Sequence, residues 1–247
     1  MKKKMSVRVR VGLDAARASA AIYVVIHHWA AAHNLSNGIG MVLRFGQEAV
    51  IVFVLLSGFV IFANEHTCAR HLYGYYLRRL RRIYPILLSA MVLSVIVSLA
   101  NGGERGFTII ELVGNLASLQ DVSMLKPGVI VDPFMGNDPL WSLSYEVAFY
   151  IVFPGILTFW RAAPGLCNHV IGVVCCLLFF TYIIWPNHFS LVGSYFLLWW
   201  AGAMAANAYL EGARDARALL VPLGWLLALC AVAVGSVIHV GFRGVGY

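Results

Sequence analysis

Two residues near the start of the chain, Arg17 and His28, combine a fixed cation with a proton-transfer group. They lie eleven positions apart, which in an α-helix is three turns plus about 20°, so they share one face at a separation of about 16 Å. A guanidinium suits an anionic ligand, and an imidazole with an ordinary pKa of about 6.5 suits acid-base work. A third ionisable group, Glu146, sits inside an apolar run that opens Trp141-Ser142-Leu143-Ser144-Tyr145. It is the clearest unpaired carboxylate of the apolar runs. It could orient the histidine, meet a cation or receive a sugar-like hydroxyl. A charge at mid-bilayer costs at least about 2.5 to 3.5 kcal/mol, so each such residue needs a partner, a wet cavity or a function. The plainer readings stay open: Arg17 can snorkel, His27 or His28 can simply hydrogen-bond, and Glu146 can pair with an arginine.

Four arginines, Arg78, Arg79, Arg81 and Arg82, fall within five positions ahead of Ile83-Tyr84-Pro85. Planar guanidinium groups bind phosphate through several donors, so the cluster could hold a phosphorylated cofactor. The same cluster is also what anionic lipid and the insertion machinery read, and taken alone it favours that topological role. Ser57-Gly58 lacks a G-x-S-x-G elbow and reads as a close helix contact. Trp141 reads as an interfacial anchor, and His66 and His71 as solvated loop residues. The five cysteines, Cys68 among them, show no CxxC spacing. Cys175 and Cys176 read as core, and no metal site is implied.

The elements that must carry these groups are helices in lipid. Sixty-one per cent of residues are apolar and twelve per cent charged, against about 25% charged in a soluble domain. The net charge of +7 sits between the apolar runs, as topology signals do, which argues against a nucleic-acid partner. Stretches of about 20 apolar residues occur at roughly 14–33, 47–64, 84–100, 140–160, 166–186, 190–209 and 217–240. The expected fold is all-α, a polytopic transmembrane helical bundle of about seven spans, forming a single domain over 1–247. The segment from Asn101 to Pro139 is too polar to span and reads as interfacial or re-entrant. With the N-terminus cytoplasmic, fourteen Lys and Arg side chains fall on the inner side and four, Arg44, Arg105, Lys126 and Arg243, on the outer. That asymmetry fits the positive-inside rule.

These pieces occur in an order that resembles the acyltransferase-3 family of bacterial membrane acyltransferases. Leu13-Asp14-Ala15-Ala16-Arg17, then Val24-Val25 and His28, is similar to the family's opening arginine and histidine motif. Phe53 to Phe59 is similar to its second-helix motif, and Arg79-Leu80-Arg81-Arg82-Ile83-Tyr84-Pro85 to its paired-arginine motif. Trp141 to Glu146, with Phe149-Tyr150, is similar to its Trp-Ser-Leu-Ser-x-Glu box. Val147 departs from the second acidic residue of many members. Members usually have about ten spans, so the resemblance implies a chain shortened by about three C-terminal helices.

The resemblance implies transfer of an acyl group, typically acetyl, from acyl-CoA to a hydroxyl of a cell-surface glycan, lipopolysaccharide or lipid-linked sugar. Acetyl-CoA would be a donor substrate, with no permanently bound cofactor, and the chain would lie among the lipids of the bacterial inner membrane. His28 would act as general base or acyl carrier, with Arg17 and Glu146 completing the catalytic set. Arg79 and Arg82, flanked by Arg78 and Arg81, would bind the phosphates of CoA. The competing readings are a transporter or flippase for an anionic or lipid-linked solute, and a shortened, non-catalytic membrane protein. No internal repeat or pair of broken half-helices favours transport.

Overall fold

The apolar runs become helices. The computed structural model describes residues 5–33, 43, 45–66, 71–103, 106–213 and 215–240. Among the charges of the topology tally, Lys2, Lys3, Lys4, Arg44, Arg70, Arg105, Arg214 and Arg243 lie outside the described residues, as does Cys68. The helices are α1 (Val7–Ala32), α2 (Gly46–Glu65), α3 (Leu72–Ala100), α4 (Ile109–Leu116), α5 (Trp141–Ala162), α6 (Pro164–Ile184), α7 (His188–Glu211) and α8 (Leu220–Val240). Among the described residues no strand forms, and an isolated bridge joins Gln120 to Val131.

Six of these helices are long and apolar enough to cross a membrane: α2, α3, α5, α6, α7 and α8. The first is 26 residues long but more polar, because Arg8, Arg10, Asp14, Arg17 and two histidines interrupt it. Two boundaries differ from the sequence expectation. Helix α1 begins at Val7 rather than near 14, and α3 begins at Leu72 rather than near 84. In α3 the helix runs through Pro85 without stopping, so the arginine cluster occupies its first turns. Helix α4 has eight residues, about 12 Å at 1.5 Å each, well short of a bilayer core of about 30 Å.

The helix ends follow local chemistry. The Thr108 side chain accepts from the Glu111 backbone N–H at 3.1 Å and caps α4. At the other end, Ser118 N–H donates to Asn115 O and Leu119 N–H to Gly114 O, the two bonds of a Schellman motif. Pro164 opens α6, where its missing N–H costs nothing. Pro186 follows the last turn of the same helix and prevents its continuation.

The chain divides into two compact units. The first comprises 1–67 and 197–224, and thus α1, α2, the C-terminal part of α7 and the first turn of α8. In lipid, apolar contact between helices gains little transfer energy, so close approach and polar contacts carry more of the packing. Gly58 and Gly202 supply that approach. A β-carbon at Gly58 would fall 1.9 Å from Trp199 O, and one at Gly202 1.9 Å from Leu55 O. The close-packing reading of Ser57-Gly58 therefore holds at the backbone level.

The second unit comprises 68–196 and 225–247. Here α3 packs Leu87 and Met91 against Phe134, at the start of a short 3-10 turn. The long connection after α4 is tied by side chains. Asn115 donates to Glu111 O and Asp132 O and accepts from Phe134 N–H. Asp132 accepts in turn from Ser123 N–H and Ser123 Oγ. This polar clasp explains how a non-spanning segment stays ordered.

Candidate functional site

On α1 the covered positions are 9, 13, 17, 20, 23, 24, 27, 28 and 30, spaced as one helical face. Arg17 and His28 therefore share a stripe, as their spacing predicts. Arg17 is buried, and its guanidinium carbon lies 4.8 Å from the centre of the Phe53 ring on α2. Such a contact contributes about 0.5 to 2 kcal/mol.

The two neighbouring histidines differ in surroundings. His27 Nδ1 lies 2.5 Å from Leu43 O, and its ring rests on Gly46, where a β-carbon would come within 2.3 Å of Cδ2. His27 is thus a packing residue that holds the chain entering α2. His28 is half-buried on the stripe that also carries Arg17. His66, expected in a solvated loop, is 8% exposed. Its ring stacks on Phe62 at 5.6 Å and its Nδ1 lies 3.0 Å from Phe62 O, because the α2 helix turn carries on to it. His71 is exposed as expected.

In the second unit the four arginines separate by direction. Arg78, Arg81 and Arg82 are exposed, whereas Arg79 is half-buried. Its guanidinium carbon sits 5.6 Å from the Tyr75 ring centre and 5.5 Å from that of Tyr150. The Tyr150 hydroxyl donates to Glu146 Oε1, so Glu146 is engaged one helical turn away on α5 rather than standing unpaired. Arg79, Tyr150 and Glu146 form one polar line across α3 and α5.

Proline explains why Tyr150 is placed there. In a regular helix the Tyr150 carbonyl would accept from residue 154, but Pro154 has no N–H. The buried Tyr75 hydroxyl donates to that carbonyl at 3.1 Å, and Tyr76 donates to Ile151 O at 3.0 Å. The adjacent tyrosines at the start of α3 thereby fasten the arginine-bearing turns to the bend in α5.

A second polar cluster lies around the opening of α5. Lys126 Nζ lies 2.9 Å from Asp121 Oδ1, and the Tyr145 hydroxyl donates to Asp121 Oδ2 at 2.6 Å. The Trp141 ring centre is 3.6 Å from Lys126 Nζ. Burial holds the Lys126 ammonium below the usual lysine value of 10.5, against the opposing pull of Asp121. Trp141 and Tyr145 thus belong to a buried ion-pair network, and Lys126 is not a free loop charge. The sequence offered no spacing signal for this pair, which lies in an irregular loop.

Arg17 and His28 belong to the first unit, and Arg78, Arg79, Arg81, Arg82 and Glu146 to the second. Among the described residues no group of three or more His, Cys, Asp or Glu side chains gathers to hold a metal ion.

A family model described as an acyltransferase domain matches residues 10–246. Acyltransferase MdmB of Streptomyces mycarofaciens is 32% identical over 171 residues, which cover 64% of this chain and 43% of that protein. Nodulation protein 10 of Rhizobium leguminosarum bv. viciae is 26% identical over 167 residues, covering 62% of this chain and 45% of that protein. The chain thus spans less than half the length of these curated relatives. No solved structure matches it.

Proposed function

Because this chain belongs to the acyltransferase-3 family, we propose that it is a multi-pass membrane enzyme that moves an acyl group from acyl-CoA to a hydroxyl of a sugar-containing acceptor. The family match over nearly the whole described chain carries this reading. It is supported by the placement of Arg17 and His28 on one covered stripe of α1. Sequence similarity to an acyltransferase and to a nodulation protein agrees with it.

The chemistry requires a base, a place for the donor's phosphates and an oriented acceptor. His28 takes the proton as the acceptor oxygen attacks the thioester carbonyl, the carbon–sulfur bond breaks, and the proton passes to the departing CoA thiolate. In the alternative order, His28 carries the acyl group between the two substrates. Arg17, fixed by Phe53, supplies positive charge to the donor. Arg78, Arg81 and Arg82, exposed on the first turns of α3, are accessible to phosphate, and Arg79 ties that surface to Glu146 through Tyr150. Glu146 orders this line and contacts the acceptor.

Charge asymmetry supports a cytoplasmic N-terminus and arginine cluster in a bacterial inner membrane, the side on which acyl-CoA resides. Acetyl is the expected acyl group, and a glycan or lipid-linked sugar the expected acceptor. The test is displacement of labelled acetyl-CoA from membranes containing the chain, with and without Arg81→Ala plus Arg82→Ala. Weakened binding at unchanged membrane topology supports the reading. Unchanged binding with inverted topology would show that the arginines serve insertion alone.

A further inference from the structure

The second unit contains a cavity of about 460 Å³ where the last turns of α3 meet the 3-10 turn at Phe134–Gly136. None of the groups assigned above to acyl transfer lines it. Its α3 wall has two ridges. Ser94, Ser98 and Asn101, at spacings of four and three, form a polar ridge, and Leu93 and Val97 form an apolar one beside it. The other side chains from Val92 to Ala100 are apolar, so hydroxyl and amide groups are gathered on the side that faces the cavity.

The facing wall is a fixed turn. Met135 and Gly136 both take left-handed backbone, with φ of 52° and 71°, and the Met135 N–H donates to Glu111 Oε1. A non-glycine residue in that region is strained and persists only where its surroundings hold it. Asn137 follows, and its Nδ2 donates to Ser94 Oγ at 3.0 Å, while that hydroxyl donates to Ala90 O at 3.0 Å. Ser94 can therefore only accept from Asn137, which turns the amide with its NH2 toward the helix. That leaves Oδ1 as an accessible acceptor without a partner among the described residues. The Asn101 side chain likewise makes no hydrogen bond among the described residues.

The lining thus offers uncharged donors and acceptors beside aliphatic carbon, with no ionised side chain among the described lining residues. Hydrocarbon would leave the amides unserved, and an ion would lose water with no counter-charge to meet it. A sugar ring matches both surfaces, with hydroxyls at its edge and C–H groups on its faces. The volume also fits, since 460 Å³ at about 30 Å³ per water-sized group holds on the order of fifteen such groups, enough for one ring with its hydroxyls.

We infer that this cavity binds one uncharged sugar ring, with its hydroxyls on Asn137, Asn101 and Ser98 and a carbon face on Leu93 and Val97. Arg82 and Ser98 are sixteen positions apart on α3, about 24 Å, so the cavity lies at the other end of this helix from the arginine cluster. It would receive the sugar of the acceptor from the side opposite the donor's phosphates. That role rests on the acyl-transfer reading, whereas the binding itself does not.

The test uses the full chain in phosphatidylcholine nanodiscs and saturation-transfer NMR of the methyl glycosides of glucose, galactose and mannose, without donor. At least one should give a saturable signal, with affinity about tenfold weaker in Asn137→Ala, the worth of one hydrogen bond. Val97→Trp, which adds bulk at an exposed position of α3, should abolish the signal while the unfolding temperature holds. Methyl glucuronide should bind about tenfold more weakly than methyl glucoside. The inference is overturned if no glycoside binds, if Val97→Trp binds as tightly as the unaltered chain, or if the glucuronide binds equally well. Loss of the signal when phosphatidylglycerol is included would also overturn it, because the cavity would then belong to a lipid headgroup. Thiol release from acetyl-CoA by nanodiscs that bind no glycoside would sink this inference alone. Glycoside binding without thiol release would leave it standing and count against the acyl-transfer reading.

Discussion

Replacing Tyr75 by phenylalanine removes one hydroxyl and leaves the aromatic body in place. That hydroxyl is the donor to Tyr150 O at 3.1 Å, on a carbonyl that Pro154 deprives of its helical partner. Tyr75 is 0% exposed and Tyr150 2%, so water does not readily replace the lost donor. A buried carbonyl left unsatisfied costs about 1 to 3 kcal/mol, and Tyr75→Phe should lower stability by that amount. The decisive comparison is the same substitution in Pro154→Ala. Alanine restores an N–H at position 154, the Tyr150 carbonyl regains its helical donor, and Tyr75→Phe should then cost less than about 0.5 kcal/mol. Denaturant unfolding of the purified protein in detergent, followed by tryptophan fluorescence, measures all four corners of the cycle. Equal costs in the two backgrounds would refute the claim that proline orphaned this carbonyl and that Tyr75 answers it.

Three other perturbations follow from the packing. Gly58→Ala places a methyl against the Trp199 backbone carbonyl, and thermal unfolding should show a loss of about 1 to 3 kcal/mol or more, because backbone cannot step aside. Lys126→Met leaves Asp121, at 0% exposure, as a buried carboxylate without its cation, and should cost about 3 to 5 kcal/mol in the same assay, with Asp121→Asn restoring part of it. The pH dependence has a defined sign. Since the folded-state pKa of Lys126 lies below the usual 10.5, the unfolded chain binds more protons between the two values, and stability gains a rising contribution as pH climbs through that window. Lys126→Met should remove this slope, and a midpoint whose pH dependence is the same with and without Lys126 would contradict it.

The sequence made legible whatever rests on periodicity. Six apolar runs became helices of spanning length, and the three- and four-residue spacing on α1 put Arg17 and His28 on one covered stripe. Boundaries were less legible, since the apolar run suggested a start near 84 whereas α3 begins at Leu72 and runs through the arginines and Pro85. A proline inside a helix removes one hydrogen bond, and here apolar length and packing outweigh that loss. The same chemistry at Pro154 was readable in principle, because a carbonyl four residues earlier must find another donor. What could not be read were contacts set by loop geometry, by where a helix ends and by the choice of rotamer. Lys126 and Asp121 meet through loop geometry, His66 is buried by the continuation of α2, and Glu146 meets Tyr150 only through their shared helical turn and chosen rotamers. Hydropathy and charge patterns carry no information about such pairings.

We propose that acyl-CoA is the donor and that His28 is the group that enables transfer. Release of free CoA thiol from acetyl-CoA, measured with membranes containing the chain and with His28→Ala at matched expression and insertion, tests it most directly. Thiol release should depend on the chain and fall to background in His28→Ala. Release that persists undiminished in a well-inserted His28→Ala variant would contradict it.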